Sequence, residues 1–317
     1  PPQSLGATSV YGYWSYLDDV GIYHPIRYAS VEILSEEVSG DALLASTYTD
    51  SMGYFSANIN SVDGERGAQD LYIYVKSETR ACMVTTHGNS VYATSTPADH
   101  HISDRTWYAG SWAVSDGQRG AFHIMDVITD SYQFIDAYDT PPPQVQVEWE
   151  DDYNTGGSHY SNGTISVDGA PSDPDEWDVS VIAHEYGHFI YDEYTPHSLP
   201  VGSHSWNGHS TPELAWSEGW ADFFQSAIKY HWGYANPELH EETSWSGNLE
   251  ATWHSPSAGP WDDSESTVAG ILLDIYDSSN DDQNGDGIGD STHELFAEIW
   301  DVVRNYDIGN PYFTIHD

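Results

Sequence analysis

Basic residues are almost missing from this 317-residue chain: 8 Lys+Arg stand against 51 Asp+Glu, a formal net charge of −43 with histidine neutral. Lysine occurs only at Lys76 and Lys229. Charged residues make up just 19%, below the usual quarter. The imbalance therefore reflects absent bases rather than a flood of acids. Such a surface repels a phosphate backbone and an anionic bilayer, which disfavours nucleic acid and membrane docking. Cysteine is down to Cys82, so no intramolecular disulfide forms, and metal ions become the expected staples of an extracellular protein. No apolar run approaches the roughly 18 residues of a membrane span. The sequence begins at Pro1 rather than Met and does not start on a charged-then-apolar leader, so it reads as mature or trimmed.

Aromatic residues are plentiful at 14%, with 13 Trp and 23 Tyr. That content excludes a disordered acidic tail, which is poor in rings. The length suggests about two domains of roughly 150 residues each. Excess carboxylate fits salt adaptation, solubility or calcium binding, and composition alone does not choose.

Residues 1 to about 105 read as all-β. Val31-Glu32-Ile33-Leu34 alternates at the strand period, as do Tyr54 to Ile59 and Leu71 to Val75. Residues 47–59 predict a hairpin around Gly53. The spacing of strands and turns suggests a small sandwich. From Gly120 the apolar spacing becomes helical through Phe134. Pro141-Pro142-Pro143 breaks the chain, and Val145, Val147 and Trp149 share one face of a strand. Asn162-Gly163 predicts a tight turn into the strand 164–167. Asn162-Gly163-Thr164 is also a glycosylation sequon, a short pattern for which the turn is the simpler reading.

Residues 177–191, WDVSVIAHEYGHFIY, read as a buried helix carrying His184-Glu185-Tyr186-Gly187-His188. Two histidines at i and i+4 share a face, so their ring nitrogens can bind one tetrahedral Zn²⁺. Glu185 beside them suits a general base acting on a water. A hydrolytic site needs a third ligand. The Gly and His that would continue a metzincin helix are replaced by Tyr191 and Tyr194. A second helix is predicted from the N-cap Thr211 and Pro212 to a stop near Gly233. On it Glu218 and Asp222 share a face among Trp216, Trp220, Phe223 and Phe224. Acids in such company need a partner. Glu218 is the expected ligand, and Asp222 the acceptor for the free ring nitrogen of a zinc-bound histidine. Glu213 competes for the ligand role but suits the first turn of a helix. Glu193, His197 and His204 can also ligate, without supporting spacing. His204, His209, His231 and His240 otherwise read as surface or loop residues.

The pair "HEYGH" and "SEGWADFF" resembles the gluzincin metallopeptidases, in particular the fungalysin and thermolysin-like branches. "SHYSNGTISVDG…DVSVIAHEYGHFI" is similar to their edge strand, turn and active-site helix. The resemblance covers roughly 120–280. It implies a zinc endopeptidase in which the edge strand, here Ser158, His159 and Tyr160, pairs with substrate backbone. It also implies an oxyanion donor downstream, for which His254 is the candidate. Tyr276 and Tyr186 lack supporting spacing for that role. The pattern "VEIL…LLASTYTDSMGYFSANI" resembles transthyretin-like or carboxypeptidase-regulatory-like β-sandwich modules, which are usually accessory. The expected fold is therefore α+β: a β-sandwich over 1–110, then a thermolysin-like zincin domain over 111–317 with a small mixed sheet, active-site helix and helical lobe.

Asp282, Asn284, Asp286, Ile288 and Asp290 fit a D-x-N-x-D-G-x-x-D calcium loop similar to those of dockerins and thrombospondins. Ser291 and Glu294 then suit a capping box for the helix that follows. The expected function is a secreted or cell-surface zinc endopeptidase stabilised by Ca²⁺ and acting on protein or peptide. The alternative is an inactive, calcium-stabilised adhesion module. An enzyme acting on a non-peptide substrate is disfavoured by the edge strand, which serves extended peptides.

Overall fold

Period-two alternation builds the first part of the chain. The computed structural model describes residues 7–37, 40–60, 69–102, 106–196, 199–200, 202–242, 245–252, 264–277 and 295–305. The architecture is mixed α+β with several small sheets. The chain divides into two compact units, one holding residues 1–129 and 146–152 and the other 130–145 and 153–317.

The first unit contains β1 (Ala7–Leu17), β2 (Tyr23–Pro25), β3 (Ser30–Ser35), β4 (Ala42–Tyr48), β5 (Tyr54–Asn60), β6 (Gln69–Lys76), β7 (Cys82–Thr85), β8 (Ala93–Ser95), β9 (Asp99–Ile102) and β10 (Thr106–Ala113). In one sheet β1 pairs antiparallel with β2 and β5 and parallel with β10. In another, β3 pairs with β4 and β6, and β6 with β8 and β9. Alternate residues Val10, Trp14, Val31, Ile33, Ile73 and Val75 are buried. The hairpin expected around Gly53 is only half realised. Its tip is there, with the Asp50 N–H donating to the Tyr54 carbonyl at 2.8 Å. Its strands belong to different sheets, β4 to that of β3 and β5 to that of β1. The reason lies at the tip: the Trp14 N–H donates to the Gly53 carbonyl at 2.9 Å. That bond draws the tip, and β5 after it, onto β1.

Helix α1 (Arg119–Asp136) crosses the division between the units, and β11 (Val145–Glu148) follows. The first unit thus takes in more than 1–110. A boundary there would cut β10. Moreover, the start of α1 is tied to the first unit by Tyr16 Oη donating to Asp126 at 3.1 Å and by the Arg27–Asp126 ion pair at 2.6 Å.

After the end of α1, the second unit continues with β12 (His159–Ser161) and β13 (Thr164–Ser166), joined by the Asn162-Gly163 turn as expected. Next come β14 (Gly169–Ala170), β15 (Asp173–Pro174) and α2 (Val179–Tyr194). Then follow α3 (Pro212–Trp232), β16 (Leu239–Glu242), β17 (Trp245–Asn248), α4 (Leu249–Thr252), α5 (Glu265–Tyr276) and α6 (Phe296–Asn305). Asp178 caps α2, accepting from the Ser180 and Val181 N–H groups at 2.9 and 3.3 Å. Thr211 Oγ1 caps α3 through the Leu214 N–H at 3.3 Å, and Gly233 ends it in the left-handed region. Both helices are buried on nearly every side. Phe134, Trp220, Phe223, Phe224, Phe296 and Trp300 form an aromatic core, with Phe134 and Phe296 ring centroids 4.4 Å apart.

The approach of α2 to α3 depends on Gly187. A Cβ there would lie 3.1 Å from the Ala221 Cα and 3.3 Å from Phe224. The Trp220 indole donates to the Gly187 carbonyl at 3.2 Å across the same contact. Gly187→Leu is expected to cost about 1–3 kcal/mol or more by overpacking. Urea unfolding checks this, and a variant with the wild-type midpoint contradicts the packing described.

Candidate metal centre

The helix contact delivers four side chains to one place. His184 and His188 stand one turn apart on α2, and Glu218 and Asp222 one turn apart on α3. His184 Nε2 and His188 Nε2 are 3.1 Å apart. Glu218 Oε2 lies 3.1 Å from His188 Nε2 and 3.4 Å from His184 Nε2. Behind them Asp222 Oδ1 lies 2.9 Å from His184 Nδ1. With Nδ1–H donating to Asp222, His184 turns a lone pair toward the other two ligand atoms. Three electron-rich atoms facing one another call for a cation. A tetrahedral ion about 2.0–2.1 Å from nitrogen and oxygen ligands implies edges of about 3.3–3.4 Å. The observed edges of 3.1, 3.1 and 3.4 Å fit that size.

The electrostatics agree. Burial disfavours charge on His184, but hydrogen bonds to Asp222 and Glu218 outweigh it and raise its pKa well above 6.5. Burial pushes Glu218 up, yet the adjacent His188 and His184 hold it well below the usual carboxylate range. The same negative field that draws a proton to these groups also favours a cation, which would compete with the proton for their lone pairs.

Glu185 is 7% exposed and lines the same cavity, of about 580 Å³, as the three ligand candidates. Gly157, Ser158, His159 and Tyr160 form another part of its wall. Strand β12 pairs with β13 on one side, and among the described residues no strand takes its other side. Tyr160 Oη donates to Asp192 at 2.6 Å. The Ser158 hydroxyl donates to Asp175 at 2.6 Å and accepts from the Asp168 N–H at 2.9 Å, which fixes the approach to β12.

Among the competitors for the third ligand, Glu193 and Glu213 are exposed, and Glu213 stays in the first turn of α3. His197 lies outside the described residues, as do His254, Ser291, Glu294 and the loop residues Asp282, Asn284, Asp286, Ile288 and Asp290. Tyr186 is fully buried against Phe189 and Phe224, and Tyr276 packs against Phe223.

His240 corrects the sequence reading, which put it on the surface. It is 6% exposed, and its Nδ1 lies 2.8 Å from the Asp222 oxygen that also takes His184. Burial works against its charge, but Asp222 and Glu242 raise its pKa to about 9. Lys229 keeps β16 in position, its ammonium donating to the Leu239 carbonyl at 2.7 Å and to Ser180 Oγ at 3.1 Å. His204 also enters the site, 2.8 Å from Glu265 and 3.8 Å from Glu218. Glu265, Trp206 and Trp245 complete the cavity and were not singled out from sequence. The one local signal was the acid-rich strand Leu239-His240-Glu241-Glu242, too short to separate a buried His from a solvated one.

Two histidines on one helix and a carboxylate on the next, backed by a second carboxylate, form a group that could hold a metal ion within a mixed α+β fold. The profile described as "Mycolysin C-terminal domain" matches residues 136–308, more than half of the chain and all of these ligand candidates. The chain belongs to that family, which is related to zinc metallopeptidases. An uncharacterized protein of Archaeoglobus fulgidus is 35% identical over 105 residues, 32% of this chain and 28% of that protein. The match thus spans little more than a quarter of the relative's length. Among solved structures, a 9R-lipoxygenase from Cyanothece overlaps 44% of this chain and 26% of its own at 12% identity, with a TM-score of 0.27.

Asp175 provides a test of the cavity's electrostatics. Burial raises its pKa from 3.8 to about 7, reinforced by Asp173, Asp178 and Asp168 and opposed by the Ser158 hydrogen bond. Below the unfolded value both states hold the proton, and no cost arises. Between that value and about 7 the unfolded chain ionises first, so stability falls as pH rises and then levels off. Asp175→Asn should raise the unfolding midpoint at about pH 8 and change little near pH 4. An equal effect at both pH values contradicts the buried-acid account.

Proposed function

We propose that the chain is a zinc-dependent endopeptidase of the gluzincin type, working outside the cell. The observation that carries this reading is the triangle of His184 Nε2, His188 Nε2 and Glu218 Oε2, with Glu185 in the same cavity wall. Zinc held there would supply Lewis acidity toward a peptide carbonyl and a water of lowered pKa. The ligands would be His184, His188 and Glu218. Asp222 fixes the His184 tautomer by accepting from Nδ1–H. Glu185 takes the proton of the attacking water on its carboxylate and delivers it to the leaving amine nitrogen. The open side of β12, through Ser158, His159 and Tyr160, pairs with an extended substrate. His254 is assigned the oxyanion-stabilising role on sequence resemblance alone.

Calcium at Asp282, Asn284, Asp286, Ile288 and Asp290 would staple the segment between α5 and α6 in a chain that forms no internal disulfide. The inactive-module alternative is not favoured, since the base Glu185 accompanies all three ligands. Among the described residues no helix is long and apolar enough to cross a membrane.

Glu185→Gln should keep one zinc per chain and lose about 10²–10⁴-fold in hydrolysis of a denatured protein substrate. A mutant as active as wild type removes Glu185 as base, and a wild-type chain that binds no zinc removes the proposal. Asp222→Asn should weaken zinc binding about 10–100-fold, read by competition with a chromogenic chelator. Undiminished affinity argues against the role given to Asp222. Chelation of calcium, with zinc restored, should lower the thermal midpoint, and an unchanged midpoint argues against the calcium loop.

A further inference from the structure

We propose that the outer face of the sheet formed by β5, β1 and β10 binds a neutral polysaccharide. The surface lies wholly in the first unit and uses no residue of the candidate metal centre.

Strand alternation on β1 sends Val10 and Trp14 inward and Ser9, Tyr11 and Tyr13 outward. Register aligns the neighbouring strands with them. Ser9 lies between Asn58 and Thr106, Tyr11 between Ser56 and Tyr108, and Tyr13 between Tyr54 and Ser111. The result is a three-by-three lattice of rings, hydroxyls and one amide. Tyr11 and Tyr108 have ring centroids 5.2 Å apart at a tilt of 30°, and Tyr13 and Tyr54 are also 5.2 Å apart. Tyr13 is 41% exposed and Tyr108 49% exposed. A groove of about 520 Å³ runs beside Tyr11 and Tyr54, over Ser9, Ser56 and Asn58.

Charge selects the ligand. None of the nine lattice residues is charged at neutral pH, in a chain with 51 acids and a net charge of −43. A nucleic acid needs cations, and none of the nine residues supplies one. A basic peptide needs carboxylates, and none of the nine supplies those either. Exposed sheet faces and edges are commonly kept soluble by charged side chains, whereas this one presents rigid amphipathic rings that lose little entropy on contact. A sugar ring has an apolar C–H face to lie on tyrosine and hydroxyls at its rim for Ser, Thr, Asn and the phenols. A neutral, hydroxyl-rich polymer matches both features, and the three successive rows offer it several contacts at once.

The test is retention of the full chain on amorphous cellulose, on chitin and on a gel containing soluble β-glucan. Retention on at least one is expected, unchanged between about 0.1 and about 1 M salt because no charge takes part. Tyr11→Ala with Tyr108→Ala should weaken it about tenfold or more, while the paired Tyr→Phe changes keep it, since the stacking ring survives. Circular dichroism and the thermal midpoint check that the alanine variant folds. Should it unfold, Tyr108→Ala alone, at the most exposed ring, takes its place. Failure to bind any of the three, binding abolished by salt, or binding untouched by the alanine changes overturns the proposal. So does self-association by sedimentation that the alanine changes abolish, because the face would then be an interface between copies.

Discussion

The second unit depends on one buried carboxylate. Asp222 sits in a helix surrounded by tryptophan and phenylalanine, where an unpaired charge would cost several kcal/mol. A single oxygen of it receives both His184 Nδ1 and His240 Nδ1, at 2.9 and 2.8 Å. That oxygen ties α2, α3 and β16 together and fixes the direction of the His184 lone pair. The helices must first come close enough for the bond to form. Gly187 allows this by presenting no side chain to Ala221 and Phe224. Packing and polar chemistry are thus one constraint: the aromatic core sets the separation, and the carboxylates use it.

The shortage of bases takes on meaning in this light. Among the described residues, five of these bases form ties within the fold. Lys229 is 2% exposed and holds the start of β16 to α2 and α3. Lys76 pairs with Glu32 at 2.5 Å across β6 and β3, and Arg27 pairs with Asp126. Arg119 donates to the Leu17 and Asp18 carbonyls, and Arg304 pairs with Asp139. With so few cations, buried acids turn to histidine: Asp222, Glu218 and Glu265 all have imidazole partners. Histidine at neutral pH is a lone-pair donor as readily as a cation, so a base-poor interior is also one suited to metal binding.

Several local features of the site were legible in the residues. The i, i+4 spacing of His184 and His188 and of Glu218 and Asp222 follows from helix geometry alone. Thr211-Pro212 and Gly233 marked the ends of α3, and Asn162-Gly163 marked the turn before the site. Glu218 and Asp222 were singled out because acids among large apolar residues need partners, and the structure supplies those partners. Other readings failed for want of long-range information. The 47–59 hairpin looked local, yet its strands part into two sheets because β1 captures the turn. His240 looked like a loop residue, since nothing within four residues of it indicates burial.

The sequence by itself determined helices α2 and α3, the turn before them, the four side chains that the two helices carry and the relation to zinc metallopeptidases. Each rests on interactions within one or two turns of chain. Only the tertiary structure decided that His240, His204 and Glu265 join that site, that β12 borders the cavity, and that tyrosines from three strands form one uncharged lattice. Those placements depend on strand register and on helix crossings. Register and crossing are set by burial summed over many distant residues, and no short stretch of sequence carries that sum.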